Sequence, residues 1–283
     1  MSYSESFEIP SPATALFDAL LDEATLKQWL AANARVEPRK GGSFRFWGPD
    51  VLWGTTEAEA DGEILELDRP HALAIRWRWK GHEARVSFGV KESGSGSELT
   101  IEHRFETFES GPDGPGPDMA GCHWRIAVGN LMRVLAGRPA SLRPDYTVHS
   151  RALPARVELE IDIDAPPERV FQALLDPEQM RVWMGAPAPE ADPEAARYTY
   201  GWTRGEDATE VGPVRLLELV PNRLLVHDWQ WPDEPEGQIR WELAPTKNGT
   251  RLRLVHSESV DITHSLGWSD ALVAIQRLVE NER

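Results

Sequence analysis

Cysteine is almost missing from this sequence: Cys122 is the only one in 283 residues. That excludes an intrachain disulfide and any cysteine-based zinc cluster, and it suits a reducing compartment. The opening Met1-Ser2-Tyr3-Ser4-Glu5 has neither the basic n-region nor the apolar h-region of a secretory signal, so a cytoplasmic protein is expected. No apolar run approaches the roughly 18 residues that would cross a bilayer, so no membrane span is expected. Positive charge is scarce too, with 30 Lys and Arg against 46 Asp and Glu and a net charge of -16. The shortfall falls on both halves, with 17 basic and 22 acidic residues in 1–152 and 13 and 24 in 153–283. The only basic groupings, Arg35/Arg39/Lys40 and Arg76/Arg78/Lys80, are too small to neutralise a phosphate backbone, so nucleic acid is not an expected partner. The acidic excess reads as solubility.

Motifs for covalent and metal chemistry are missing as well. There is no Gly-rich phosphate loop, no Gly-x-Ser-x-Gly elbow and no Cys-His signature, and Cys122 and His123 are neighbours in sequence only. His71, His82, His123, His149 and His264 show no i, i+4 ligand spacing and no paired carboxylate, so no metal is expected. No cofactor and no catalytic residue is assigned.

What the sequence does contain is a duplication. Shifted by 154 positions, residues 7–30 lie without gaps on residues 161–184 with 8 of 24 identical: Ile9/Ile163, Pro12/Pro166, Phe17/Phe171, Ala19/Ala173, Leu20/Leu174, Leu21/Leu175, Asp22/Asp176 and Trp29/Trp183. These are the apolar and helix-punctuating positions of one supersecondary unit. The length accommodates two cores of about 140 residues, near the commonest domain size. Domains are expected over 1–140 and 153–283, with Ala136 to Leu153 as the linker.

Each repeat opens with an alternating strand (Phe7/Ile9; Leu159/Ile161/Ile163) and a proline at a helix start. A 3/4-spaced apolar stripe follows, and then Asp22 or Asp176 caps a second short helix. Period-2 runs then predict an antiparallel meander: Phe44/Phe46, Leu73/Ile75/Trp77/Trp79, Val86/Phe88/Val90 and Leu99/Ile101/His103/Phe105 in the first repeat. Their counterparts are Tyr198/Tyr200/Trp202, Trp229/Trp231, Ile239/Trp241/Leu243 and Leu252/Leu254/His256, with a turn at Asn248-Gly249. Amphipathic helices close the repeats through Trp124/Val128/Leu131/Val134/Leu135 and Trp268/Leu272/Ile275/Leu278/Val279. The Gly/Pro-rich Ser110 to Asp118 precedes the first of these helices and is placed to act as a lid.

This order of elements, the entry pattern IPSPATALFDALLDEATLKQWL, the Leu99-Thr100-Ile101-Glu102-His103 segment and the closing Gly267-Trp268 resemble the activator of heat-shock-protein-90 ATPase homologue family of the START-like (SRPBCC) helix-grip superfamily. The likeness covers nearly the whole chain, once per repeat. It implies an α+β fold of two tandem helix-grip domains, each a seven-stranded sheet gripping a long helix, often with a ligand cavity between them. The superfamily includes small-molecule binders, lipid carriers and polyketide cyclases. The family's eponymous co-chaperone has a client-binding N-terminal module with no counterpart here.

Twelve tryptophans are many for this length. Each buries about 150–250 Å², so they are expected to line an interior. The expected function is reversible binding of a hydrophobic or aromatic small molecule between sheet and closing helix. The candidate ligand-binding residues are Phe44, Phe46, Trp77, Trp79, Phe88, His103 and Trp124 in the first repeat, and Tyr200, Trp229, Trp241, His256 and Trp268 in the second. The aromatics would supply contact area, and His103 and His256, at matching positions of the last strand, would orient the ligand. His227 reads as a surface residue. The alternatives are a protein-interaction or co-chaperone module with a protein partner, and a cyclase-like enzyme using His103 as acid/base.

Overall fold

The computed structural model describes residues 2–52, 55–79, 82–94, 96–107, 117–146, 156–232, 234–258 and 262–281. The chain divides into two compact units, residues 1–150 and 151–283. Among the described residues no helix is long and apolar enough to cross a membrane.

The first unit runs β1 (Ser2–Ile9), α1 (Ala13–Ala19), α2 (Glu23–Trp29), β2 (Asn33–Val36), β3 (Phe44–Trp47), β4 (Asp61–Asp68), β5 (Ala72–Trp79), β6 (His82–Ser93), β7 (Gly96–Thr107) and α3 (Pro117–Leu135). Five strands form an antiparallel sheet in the order β1-β7-β6-β5-β4. The β2–β3 ribbon joins its β4 edge through a bridge from Ser43 to Glu63. The seven strands implied by the resemblance are therefore five plus a bridged pair. Alternation decides which face is buried: Leu99, Ile101, His103 and Phe105 of β7 are buried while Arg104 and Glu106 are exposed.

The second unit repeats the plan with β8 (Arg156–Ile163), α4 (Pro167–Leu175), α5 (Pro177–Met184), β9 (Glu190–Asp192), β10 (Arg197–Thr199), β11 (Trp202–Arg204), β12 (Thr209–Val211), β13 (Leu216–Val220), β14 (Leu224–Trp229), β15 (Gly237–Pro245), β16 (Thr250–Ser257) and α6 (Ile262–Asn281). Its sheet order is β13-β14-β15-β16-β8, with β9–β10 and β11–β12 as separate ribbons. The Tyr198/Tyr200/Trp202 run is not the single strand its alternation suggests. Gly201, at φ +74°, ends one ribbon before the next begins. Each sheet carries a register shift on the strand after the ribbons, Ile64/Glu66 on β4 and Leu216/Glu218 on β13, and such bulges bend a sheet.

The same contacts hold each copy together internally. Asp22 and Asp176 cap α2 and α5 by accepting from Thr25 N and Glu178 N. Trp29 and Trp183 donate their indole N–H to the carbonyls of Ala19 and Ala173, at 3.1 and 2.7 Å, closing α1 on α2 and α4 on α5. Ser97 and Thr250 donate to the carbonyls of Ser11 and Ala165. Gly96 and Gly249 lie so close to the carbonyls of Ile9 and Ile163 that a Cβ at either position would collide with the oxygen. The closing helices pack on the opening strand and the helix pair, α3 on β1, α1 and α2, and α6 on β8, α4 and α5.

Residues 138–146 continue from α3 and fold back on the first unit. Asn130 donates to Leu142 O and accepts from Ser141 N, Arg143 pairs with the buried Asp50 at 3.0 Å, and Tyr146 N donates to Pro49 O. The expected lid, 110–118, lies outside the described residues up to position 116; Pro117 and Asp118 begin α3.

Candidate functional site: a tryptophan–histidine lock in each copy

In the first unit Phe44, Phe46, Trp77, Phe88, His103 and Trp124 are all buried. They meet edge to face or tilted, with Phe46–Trp77 ring centroids 4.7 Å apart, Trp77–His103 5.7 Å and Phe88–Trp124 5.6 Å. Such pairs add about 0.5–1.5 kcal/mol beyond area burial. Trp79 lies on β5, and its side chain is outside the described residues. The second unit gathers Tyr200, Trp229, Trp241, His256 and Trp268 in the same way, with Trp229–Trp268 at 5.2 Å and Trp241–Trp268 at 5.7 Å.

One polar contact recurs in both. Trp124 Nε1 on α3 donates to His103 Nδ1 on β7 at 3.1 Å, and Trp268 Nε1 on α6 donates to His256 Nδ1 on β16, also at 3.1 Å. An indole nitrogen can only donate, so each Nδ1 is an acceptor and each neutral imidazole carries its proton on Nε2. Burial, aided by the nearby His123, pushes His103 down to about 3; burial, aided by His264 and His227, does the same to His256. Both rings are neutral at physiological pH. The spacing of apolar neighbours pointed both histidines inward, but the lock joins elements 12 to 21 residues apart and is invisible in the sequence.

His227 is buried, not on the surface. Its Nδ1 bonds Asp228 O at 2.7 Å, its Nε2 accepts from Trp241 Nε1 at 3.2 Å, and its ring stacks on Tyr198 at 4.6 Å. Burial lowers its pKa to about 4, against the opposing pull of Asp228. Its facing follows from the ladder: the rung Ile75–Val86–His103 of the first sheet corresponds to His227–Ile239–His256 of the second.

This correspondence exposes a systematic difference between the copies. Phe44 and Phe46 of the first copy are matched by Tyr198 and Tyr200, Ile75 by His227, and Phe88 by Trp241. Each change adds a polar handle to a buried apolar position. Tyr198 OH donates to Leu174 O at 2.9 Å, and burial raises the pKa of both tyrosines. Among the described residues of the second unit, Trp229 Nε1, His256 Nε2 and the Tyr200 hydroxyl have no hydrogen-bond partner. A buried donor left unsatisfied costs about 1–3 kcal/mol, so each is a fixed charge on stability unless something accepts from it.

His264 and Glu234 stand in no sequence spacing that marks them as a pair. His264 Nε2 lies 3.6 Å from Glu234 Oε1, and the His264 ring is 4.8 Å from His256 and 5.6 Å from Trp229. Aligning the closing helices on Trp124 and Trp268 would have flagged His264, which falls where the first copy has Ala120. Among the described residues no cluster of His, Cys, Asp and Glu is arranged to hold a metal. A small cavity of about 10 Å³, room for about one water, lies in the first unit against Trp29, Asp50, His123, Asn130, Arg143 and Tyr146, and none of the expected ligand-binding residues lines it. There His123 Nδ1 is hydrogen-bonded to Tyr146 OH at 3.1 Å, and burial lowers the His123 pKa to about 3.

Among solved structures the chain is similar to DynU16 of the dynemicin biosynthetic locus, at 17% identity over 99% of this chain and 97% of that one, TM-score 0.40. It is also similar to StfQ, the di-domain ARO/CYC of the steffimycin biosynthetic pathway, at 12% identity over 99% and 98%, TM-score 0.36. CalU16 from Micromonospora echinospora shares 22% identity over 48% of this chain and 76% of that one, TM-score 0.38. No curated protein matches the chain by sequence. The family described as Activator of Hsp90 ATPase homolog 1-like protein matches twice, over residues 10–135 and 164–280. Those two stretches take in both opening helix pairs, both meanders and both Trp–His locks, and the chain belongs to that family as a tandem of two α+β helix-grip domains.

Proposed function

We propose that the protein reversibly binds a hydrophobic or aromatic small molecule between sheet and closing helix, with the second unit as the principal site. In this reading Trp229, Trp241, Trp268 and Tyr200 supply contact area and His256 supplies orientation, with Phe44, Phe46, Trp77, Trp79, Phe88, His103 and Trp124 as the corresponding set of the first unit. The observation that carries it is the pair of desolvated, unsatisfied N–H groups of Trp229 and His256 in an otherwise aromatic interior. Groups that cost stability in the free protein gain a partner when a ligand enters.

The reading assigns no catalysis. His103 and His256 are held neutral by burial down to about pH 3, which suits a hydrogen-bond donor better than a proton shuttle working near neutrality. The test is a panel of apolar aromatic compounds against the full chain, read by tryptophan fluorescence and thermal shift. A ligand specific to the folded state stabilises by RT ln(1 + [L]/Kd), about 2.7 kcal/mol at a hundredfold excess over Kd. A panel giving neither quenching nor stabilisation would overturn the proposal.

A further inference from the structure

The two copies surround the same imidazole differently. In the first unit Phe105 stacks on His103 at 4.2 Å, and Ala84 is buried beside the Trp77 rung. In the second unit the residue matching Phe105 is Glu258, which is exposed, and the residue matching Ala84 is Gly237, across the ladder from Trp229. A Cβ on Gly237 would collide with Ser257 O at 2.6 Å and would sit 3.4 Å from His256 Nε2. The Phe105 ring that stacks on the first histidine has no counterpart on the second, and no side chain at Gly237 stands beside the second histidine's Nε2.

We propose that this place in the second unit receives a planar aromatic molecule bearing a neutral acceptor oxygen, an aryl ketone or quinone, whose carbonyl accepts from His256 Nε2–H and Trp229 Nε1–H. The inference rests on the reading above that the interior binds an aromatic small molecule, and it adds the chemistry of the recognised group. Both donors are buried and without a partner, and their rings lie 5.3 Å apart. The lock from Trp268 holds the His256 proton on Nε2, so the ring can only donate from that nitrogen. Trp202 and Trp231, both part-exposed, stand against Trp229 at 6.2 Å edge to face and 6.1 Å stacked. Glu234, whose Oε2 is buried and also without a hydrogen-bond partner, lies against His264 on the same cluster. A carboxylate there disfavours an anionic ligand and selects a neutral carbonyl over a carboxylate or phenolate.

Matched pairs of probes decide it: 9-fluorenone against fluorene, and 1-indanone against indane, each titrated into the full chain with tryptophan fluorescence and calorimetry. The ketone should bind about tenfold tighter than its hydrocarbon, and Trp229→Phe, which keeps a ring but removes one of the two N–H donors, should cut that preference to about threefold. Trp47→Phe, a ring on β3 outside the site, should leave the preference intact. Equal affinities of ketone and hydrocarbon in the wild type would overturn the acceptor site while leaving apolar binding standing. A ketone preference left undiminished by Trp229→Phe would overturn its assignment to this place. Binding of neither member of either pair would sink this inference together with the function it rests on. The wild-type comparison needs no variant, so a folding failure of Trp229→Phe does not remove the test.

Discussion

Acid should unfold this protein well above the pH at which its carboxylates protonate. Four buried histidines, His103 and His123 in the first unit and His227 and His256 in the second, are held near 3, 3, 4 and 3 in the folded chain, against about 6.5 when unfolded. A depressed histidine leaves stability intact above the unfolded pKa. Below 6.5 the unfolded chain takes up a proton that the folded ring refuses, so stability falls until the folded pKa is reached. Each such group costs about 1.4 kcal/mol per pH unit, or about 2 kcal/mol by pH 5. Two per unit make about 4 kcal/mol, a large part of the 5–15 kcal/mol of a typical domain. Asp22, Glu158 and Glu242, held low chiefly by hydrogen bonds from Thr25, Arg253 and Arg240, lose their contribution only as the pH falls from about 4 through their folded values, so the window from 6.5 to 5 belongs to histidine. Urea unfolding of the full chain at pH 8, 6 and 5, followed by tryptophan fluorescence and far-UV circular dichroism, should show each transition weakening by about 4 kcal/mol, with about two protons taken up per unit. His227→Ile, which installs the residue found at position 75 of the first copy, should remove one of the two protons from the second transition. A stability that stays flat from pH 8 to 5, or a ring resonance of His256 titrating near 6.5 in the folded protein, would refute the reasoning.

Other expectations are local. Trp268→Phe removes the donor to His256 Nδ1 and leaves a small void, and should cost the second unit about 2 kcal/mol or more in denaturant unfolding, with Trp124→Phe doing the same to the first. Gly249→Ala and Gly96→Ala drive a methyl into the carbonyls of Ile163 and Ile9, and should lower the thermal midpoint of their own unit by several degrees, as expected for a loss of about 1–2 kcal/mol. Asp228 is nearly buried, which raises its carboxyl, but the amides of Arg215 and Val214 and then the Arg215 and Gln230 side chains outweigh this and hold it low. Asp228→Asn turns one acceptor toward those donors into a competing donor, and should destabilise the second unit by about 1–3 kcal/mol while flattening its acid limb below pH 4.

Much of the fold was legible because its determinants are local. The proline-led helices, the Asp22 and Asp176 caps, the alternation on β6, β7, β15 and β16 and the closing stripes each need only a short window of sequence. His227 misled for a structural reason: its strand is offset by one residue between the copies, and only the ladder to Ile239 and His256 fixes its face. The break at Gly201 misled because alternation continues across a backbone that turns. The site was half legible. Aromatic content and inward phase pointed to residues that are buried together, whereas the orphaned donors, the bare glycine beside His256 and the His264–Glu234 pair arise from neighbours on different strands and helices and leave no spacing to read.

The returning segment after α3 also bears on how this tandem can be taken apart. Arg143 neutralises Asp50, and Tyr146 caps His123, so a first copy ended at residue 140 would expose a buried acid and a buried imidazole to water at once. Whoever clones the halves separately should therefore place the cut beyond Tyr146. Between two globular copies, a stretch that looks like a spacer on paper is better treated as the last piece of furniture in the first room.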